Sequence, residues 1–132
     1  MGLIYIDSCL LIYVLERDPL MARVVNAAVA SRPDAEFVIS PLVMAECLVR
    51  PLRRNDAELV AAYRDYFHQF QTAPISEATF LAAASHRARH GLKLPDALHL
   101  ACAEEAGCEA LWTNDNRLSA AGSIAVALRE DS

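Results

Sequence analysis

Four acidic residues of this chain lie in or directly after strongly apolar segments. Asp7 closes the run LIYID, and Asp115 follows ALWTN. Glu46 is the only charged residue of segment 42–49, and Asp96 is the only formally charged residue of LPDALHLACA. A carboxylate that is buried without a partner is costly, so it usually finds hydrogen bonds, a counter-charge or a metal ion. These four acids are therefore the first candidates for a functional site.

The apolar segments contain no matching set of lysines or arginines that would neutralise the acids. Carboxylates within a few ångströms of one another repel strongly unless a cation lies among them. Mg²⁺ or Mn²⁺ suits such a cluster, because hard divalent cations prefer carboxylate and water oxygens. A bound ion of this kind activates water and neutralises charge on phosphate oxygens, as phosphodiester hydrolysis requires. The acids therefore predict a divalent-metal site with hydrolytic chemistry.

Short apolar runs bounded by polar residues predict the strands that would position these acids. They lie at residues 3–6, 36–40, 110–113 and 123–128, with a weaker extended segment at 72–75. Their largely apolar character is typical of strands that are buried on both faces of a sheet.

Helices are predicted between these strands from their start and stop signals. Asp or Ser at the N-cap, Pro in the first turn, and Gly or Pro at the end mark their boundaries. The alternation predicts an α/β fold, a three-layer α/β/α sandwich around a mostly parallel sheet of four to five strands, with residues 1–132 as one domain. The predicted helices lie at about 9–16, from Asp18-Pro19, from Ser40-Pro41 to Pro51, which ends or kinks the segment, from Asp56, from Ser76 to Gly91, and from Pro95 to Gly107.

This topology would bring together four acids that are far apart in sequence. The carboxyl ends of parallel strands meet at one edge of a sheet, where functional groups gather. Asp7 and Asp115 follow two of the strands, while Glu46 lies in the second turn of one helix and Asp96 in the first turn of another. We therefore expect all four side chains to reach the same edge.

Two of the acids also have structural explanations when they are taken singly. Asp96 would complement a helix dipole, and Asp115 in TNDN would form an ordinary Asx turn or helix cap. Neither explanation extends to Glu46, which lies beyond a capping position. Nor do they cover Asp7, because a strand-end acid before Ser8 and an apolar helix is not a typical solvent turn.

Composition narrows the class of protein. The chain has 132 residues, 55% of them apolar, and a formal net charge of −5, which argues against a general nucleic-acid coat protein. No apolar run approaches the roughly 20 residues that cross a bilayer, and Asp7 interrupts the only candidate signal core. Four cysteines without paired spacing predict free thiols in a reducing compartment. We expect a cytoplasmic protein that does not associate with membranes.

Four motifs in this order resemble a PIN domain, and more narrowly the VapC-type toxins of bacterial toxin–antitoxin pairs. They are I-D-S near the start, an isolated Glu on the helix after the second strand, L-P-D-A-L-H-L-A-C-A, and W-T-N-D, and together they span nearly the whole chain. The residues that match that family's acidic quartet are Asp7, Glu46, Asp96 and Asp115. Its flanking hydroxyls are matched by Ser8 and Thr113.

The resemblance implies a metal-dependent endoribonuclease that uses Mg²⁺ or Mn²⁺ to hydrolyse RNA, often tRNA or ribosomal RNA. It also implies a small cognate antitoxin protein as inhibitor, and a homodimer. Asp7, Asp96 and Asp115 are the expected metal ligands, and Glu46 is expected to position or activate water. Some relatives carry a further acid where this chain has Asn116-Arg117, so one ion and two ions both stay open.

Two other classes of protein stay open. A phosphoryl-transfer α/β protein also uses a strand-end Asp with Mg²⁺, but a haloacid-dehalogenase-like phosphatase needs a second Asp where Cys9 stands. A receiver domain needs adjacent acids near its start and a nucleophile on a middle strand. A non-catalytic module would grip RNA or a partner without cutting, although it has no need to bury four like charges.

Some histidines and basic residues admit both a structural and a functional interpretation. His86 and His90 have the spacing of a zinc pair, but we expect both on the solvent side of their helix. His99, one turn after Asp96, is expected to be a packed structural histidine rather than a general acid. Basic stretches at 50–54 and 86–93 are interpreted as solvated faces or as contacts to RNA phosphates. The helix with the two paired histidines is expected to pack through Phe80, Leu81, Ala84 and Ala88.

The helices at 18–31 and 56–70 carry more apolar residues than a narrow core stripe needs. A simple core explains them best, and a dimer seam or an antitoxin groove is the alternative. The residues concerned are Leu20, Val24, Leu59, Tyr63 and Tyr66.

Overall fold

A sheet of five parallel strands lies at the centre of the protein. The computed structural model describes residues 2–121 and 124–129. The strands are β1 (Leu3–Ile6), β2 (Glu36–Ile39), β3 (Gln71–Thr72), β4 (Ala110–Thr113) and β5 (Ala125–Ala127). Their spatial order is β3-β2-β1-β4-β5, and every neighbouring pair is parallel. The first strand therefore lies in the middle, with β2 on one side and β4 on the other.

Seven helices accompany the sheet within the described residues. None of them combines the length and the apolar character that crossing a bilayer requires. The predicted α/β class, a sandwich around a parallel sheet of four to five strands, is confirmed. The helices are α1 (Ser8–Leu15), α2 (Met21–Ala30), α3 (Pro41–Arg53), α4 (Ala57–Phe67), α5 (Glu77–His90), α6 (Leu94–Glu105) and α7 (Asn116–Ala121).

Polar residues begin and end several helices as predicted. The Ser40 hydroxyl accepts a hydrogen bond from the Val43 N–H at 3.5 Å, and the Asp56 carboxylate accepts one from the Leu59 N–H at 3.1 Å. Each satisfies a backbone donor that the first turn of a helix leaves without a partner. Gly91 ends α5 with φ +67°, a conformation that glycine adopts without steric cost.

The start of α2 differs from its prediction. The helix begins at Met21 rather than at Pro19. The Asp18 carboxylate accepts hydrogen bonds from the N–H groups of Leu20 and Met21, so it holds a turn that precedes the helix. The prediction of Asp18 as the N-cap was therefore wrong, since the N-cap is Leu20 and the helix starts two residues later than predicted.

Two further segments differ in length from their predictions. Pro51 does not end α3, which continues to Arg53, so of the two effects predicted for this proline the helix end is wrong. In segment 123–128 the strand is Ala125–Ala127, and Ser123 lies outside the described residues.

α5 packs through a different face from the predicted one. Phe80 and Leu81 fit the apolar pattern, but they are 49% and 66% exposed. The buried residues of this helix are Thr79 and Ala83. The Thr79 hydroxyl donates a hydrogen bond to Glu105 of α6 at 2.6 Å, which satisfies its polar group in the interior. A polar residue with a partner therefore takes the place that the pattern gave to an apolar one.

α6 is enclosed by the rest of the protein. All seven residues from Ala97 to Ala103 are buried, so this helix has no extended solvent face beyond its ends. Because α6 is enclosed, His99 is buried together with the apolar residues on either side of it. The first turn of α6, which contains Asp96, reaches the carboxyl edge of the sheet.

Candidate active site

The four acids line one pocket at the carboxyl edge of the sheet. The strand order reverses at β1, and such a switch point leaves a crevice beyond the strand ends. Asp7 follows β1 and Asp115 follows β4, while Glu46 comes from α3 and Asp96 from α6. The structure thus brings together all four residues that the sequence analysis selected. The other residues that line the pocket are Ser8, Cys9, Asn114, Asn116 and Arg117.

Asp7 is held rigidly at the end of β1. It is the N-cap of α1, and its Oδ1 accepts a hydrogen bond from the Ser8 N–H at 2.7 Å. Its Oδ2 accepts a second bond from the Thr113 hydroxyl at 2.7 Å. The backbone N–H of Asp7 donates to the Trp112 carbonyl at 3.0 Å, which extends the pairing of β1 with β4. A buried carboxylate is tolerated here because a helix N-terminus and two donors face it.

Glu46 reaches the pocket from the second turn of α3. Its Oε1 accepts hydrogen bonds from the Ser8 hydroxyl at 2.9 Å and from His99 Nε2 at 2.7 Å. Burial raises the pKa of Glu46, but the hydrogen bond and the charge of His99, together with the Ser8 bond, outweigh it and leave the pKa below its ordinary value. Glu46 is therefore an ionised carboxylate with a fixed orientation.

Asp96 lies in an electrostatically unfavourable place. Burial raises its pKa first, and the negative charges of Asp115 and Asp7 raise it further. The attraction of His99 opposes this shift without reversing it. Among the four acids, Asp96 is the one whose environment most clearly calls for a cation.

Asp115 combines a structural and a pocket-lining role. Its Oδ1 accepts hydrogen bonds from the N–H groups of Arg117 at 2.8 Å and Leu118 at 3.4 Å, at the start of α7. The helix-cap explanation is thus correct for one oxygen. The backbone N–H of Asp115 donates to Thr113 Oγ1 at 3.0 Å, and the same hydroxyl donates to Asp7. One threonine therefore joins two of the acids.

His99 contacts the acids, which the sequence analysis did not foresee. It is packed as predicted, since only 1% of it is exposed. Its Nε2 nevertheless lies 2.7 Å from Glu46 and 3.6 Å from Asp7. Burial lowers the pKa of His99, but the hydrogen bond to Glu46 and the charges of Asp7 and Glu46 raise it above the ordinary value. The sequence feature that could have indicated this contact is the position of His99 one turn after Asp96, on a helix enclosed by the core.

Ligand atoms of Asp7, Glu46 and His99 lie within 4.8 Å of one another. Within residues 2–121 and 124–129, no lysine or arginine forms an ion pair with any of the four acids. Arg117 is the only basic residue among those that line the pocket in this described part of the chain. The acids are therefore not scattered, and His99 is the group that offsets part of their charge. The remaining negative charge favours a cation.

The pair His86 and His90 lies only partly where we expected it. The rings of His86 and His90 stack with 6.2 Å between centroids. His90 is exposed as predicted, but the side chain of His86 is only 15% exposed and its Nε2 lies 2.6 Å from Glu104 of α6. His86 follows Thr79 and Ala83 on the packed face of α5, so the prediction that both histidines face solvent was wrong for His86.

Solved structures of toxin–antitoxin proteins share this fold. A toxin–antitoxin complex from Klebsiella pneumoniae is 23% identical, with a TM-score of 0.77, and the match covers 92% of this chain and 94% of that one. VapBC2 from Rickettsia felis, bound to a DNA fragment from its promoter, gives 14% identity, a TM-score of 0.78 and coverages of 96% and 99%. Mycobacterium tuberculosis VapC20, a Sarcin-Ricin loop cleaving toxin, is 18% identical, with a TM-score of 0.75, and the match covers 90% of this chain and 95% of that one. At these identities the likeness establishes the fold.

Family membership rests on the sequence itself. No curated protein sequence matches the chain. The PIN domain model matches residues 4–124, a range that contains all four acids, strands β2 to β4 and all of β1 except Leu3. The sequence match covers nearly the whole chain, and the fold agrees with it: the chain belongs to the PIN domain family.

Proposed function

We propose that this chain is a metal-dependent endoribonuclease that hydrolyses RNA phosphodiester bonds, and that it is the toxin of a toxin–antitoxin pair. The observation that carries the proposal is the convergence of Asp7, Glu46, Asp96 and Asp115 in one pocket. A nuclease of this kind needs such a cluster, because its cation must be held while leaving room for water and phosphate.

The donor set fits a hard divalent cation. All four side chains offer carboxylate oxygens, which Mg²⁺ and Mn²⁺ prefer. The pKa of Asp96 is raised first by burial and then by the negative charges of Asp115 and Asp7, which a cation would offset. Asp7, Asp96 and Asp115 would hold the ion. When bound, it would activate a water molecule and neutralise charge on the phosphate. Glu46, fixed by two hydrogen bonds, would orient the attacking water.

The surroundings of the pocket suit an RNA substrate and a protein inhibitor. Arg117 lines the pocket, and exposed Arg50, Arg53 and Arg54 follow Glu46 on α3, where they could contact phosphates. The Klebsiella and Rickettsia structures are toxin–antitoxin assemblies, and VapC20 cleaves the Sarcin-Ricin loop. By analogy we propose a small antitoxin partner, a ribosomal or transfer RNA substrate and a homodimer. The four cysteines are free thiols, which suits a reducing cytoplasm.

The direct test is cleavage of RNA by the purified chain. We expect endonucleolytic cutting with Mg²⁺ or Mn²⁺ and none with EDTA. Asp96→Asn and Asp7→Asn should each lower the rate by at least roughly 100-fold, since metal-assisted chemistry depends on the ligand set. Asp56→Asn is the matched control, because it makes the same change at a helix cap outside the pocket and should cut like the wild type.

The same experiment separates the alternatives. Release of phosphate from small phosphoesters without RNA cutting would favour the phosphatase class, although Cys9 occupies the position where that class needs an acid. RNA binding that is unchanged by Mg²⁺, without cutting, would favour a non-catalytic module. Full activity in the purified Asp96→Asn protein would contradict the proposal. Co-purification with the product of an adjacent small open reading frame, and loss of cutting in that complex, tests the antitoxin.

A further inference from the structure

A buried chain of hydrogen bonds leads from the core to Glu46. The Ser40 hydroxyl lies 2.8 Å from the Tyr5 hydroxyl, which lies 2.7 Å from His99 Nδ1. The other ring nitrogen of His99, Nε2, lies 2.7 Å from Glu46 Oε1. Ser40 and Tyr5 are 0% exposed and His99 is 1% exposed. These three side chains are therefore shielded from water, and the series of hydrogen bonds first meets solvent at the Glu46 carboxylate.

The direction of these bonds fixes the role of the imidazole. A carboxylate oxygen accepts, so His99 Nε2 must carry the hydrogen that faces Glu46, in the neutral ring as in the cation. In the neutral ring Nδ1 then accepts from the Tyr5 hydroxyl. The lone pair of Nε2 is consequently not available to a metal ion. His99 is thereby a donor to an acid of the pocket, although its nitrogen lies close to two carboxylates.

The ring itself has no freedom to turn. His99 packs edge-on against the Tyr5 ring, with 5.6 Å between centroids. Tyr5 belongs to the central strand β1, and Ser40 is the cap of α3, the helix that carries Glu46. The series of hydrogen bonds thus connects β1, α6 and both ends of the Ser40–Glu46 segment. The side chain of Glu46 is 31% exposed. Without His99 it would keep the hydrogen bond from Ser8 but would sample more rotamers.

We propose that His99, anchored by Tyr5, is a positioning residue that holds the Glu46 carboxylate in its working orientation in the pocket. This inference rests on the proposed nuclease function and adds to it a second layer of residues that does not touch RNA or ion. Outer partners of this kind typically change metal affinity or activity about 10- to 100-fold when they are removed.

The test compares two buried tyrosines. Tyr5→Phe removes the hydroxyl that anchors His99. Tyr63→Phe is the matched control, because Tyr63 is also 0% exposed and its hydroxyl donates to a carboxylate, Glu16, at 2.5 Å outside the pocket. We expect Tyr5→Phe to lower kcat at saturating Mn²⁺ about 10-fold or more and to shift the ring ¹⁵N resonances of His99 in the metal-free protein, and Tyr63→Phe to leave both unchanged. Equal kcat values and unshifted His99 resonances in the two variants would overturn the inference.

A second pair separates positioning from packing. His99→Gln keeps an amide donor for Glu46, whereas His99→Leu fills the space without one. We expect Gln to retain more of the kcat at saturating Mn²⁺ than Leu, even where the two unfold at the same temperature. Losses that are equal in the two variants and follow only their stability would overturn the inference.

Ring ¹⁵N NMR tests the orientation of the donor without any measurement of activity. We expect Nε2 of His99 to keep its hydrogen when the protein is saturated with Mg²⁺. Loss of that hydrogen on metal addition would make His99 a ligand and overturn its positioning role. A wild-type chain that neither binds Mn²⁺ nor cuts RNA would overturn the proposed function and this inference together. An active wild type with an unaffected Tyr5→Phe variant would overturn this inference alone.

Discussion

A single hydroxyl, that of Thr113, sets the relative position of two acids. It donates to Asp7 Oδ2 and accepts from the N–H of Asp115, so its one hydrogen and one lone pair are both used. Thr113 is 0% exposed, and water cannot take its place. The Asp7 carboxylate and the backbone of Asp115 are therefore ordered by the protein itself, which is the preorganisation that the proposed metal site requires.

Thr113→Val tests this link with a substitution of similar size. Removing the hydroxyl leaves the buried Asp7 oxygen without one donor, so we expect the free energy of unfolding to fall by about 1–3 kcal/mol. Urea denaturation in EDTA measures it. Thr72→Val on exposed β3 is the control, where we expect a change within about 0.5 kcal/mol. An unchanged stability for Thr113→Val would mean that Asp7 does not depend on this bond.

At the scale of elements, sequence patterns located the acids well and their contacts poorly. Asp7 and Asp115 could be predicted because they follow apolar strands, and parallel strands share an edge. The contact between His99 and Glu46 could not, because it depends on how closely α6 approaches α3, which no local pattern encodes. The prediction of the packed face of α5 was wrong for a related reason, because Glu105 on α6 gives the buried Thr79 a hydrogen-bond partner.

The face of α5 can be tested by adding volume to two adjacent alanines. Ala83 is 0% exposed and packs in the core, whereas Ala84 is exposed. We expect Ala83→Leu to lower the free energy of unfolding by about 1–3 kcal/mol through overpacking. Ala84→Leu should change it by less than about 0.5 kcal/mol. Chemical denaturation of both variants decides between the faces, since the apolar pattern with Phe80 and Leu81 inside predicts the reverse order.

The whole molecule carries negative charge that its own cations do not offset at the pocket. Its net charge is −5, and the arginine ion pairs of the described residues join Arg32 to Asp34 and Glu109, which do not line the pocket. A cation that binds only the folded state stabilises the whole fold, by about 2.7 kcal/mol when the free ion is at roughly 100 times its Kd. The proposed function therefore predicts that metal binding and global stability are coupled.

Asp96→Asn should reverse its effect on stability according to the metal present. The raised pKa of Asp96 means that the folded state holds the proton more tightly than the unfolded chain, so the ionised carboxylate costs stability at neutral pH. In EDTA we therefore expect Asp96→Asn to unfold at a higher urea concentration than the wild type. In saturating Mg²⁺ we expect the wild type to gain more and to equal or exceed the variant, because it keeps the ligand.

The control for this prediction is Asp56→Asn, whose cap lies outside the pocket and whose gain from Mg²⁺ should equal that of the wild type. Equal gains in wild type and Asp96→Asn would mean that the ion binds away from this carboxylate. A less stable Asp96→Asn protein in EDTA would mean that Asp115 and Asp7 do not repel it strongly enough to matter. The two measurements thus examine repulsion and ligation separately, and only their combination supports a pocket in which folded stability depends on a divalent ion.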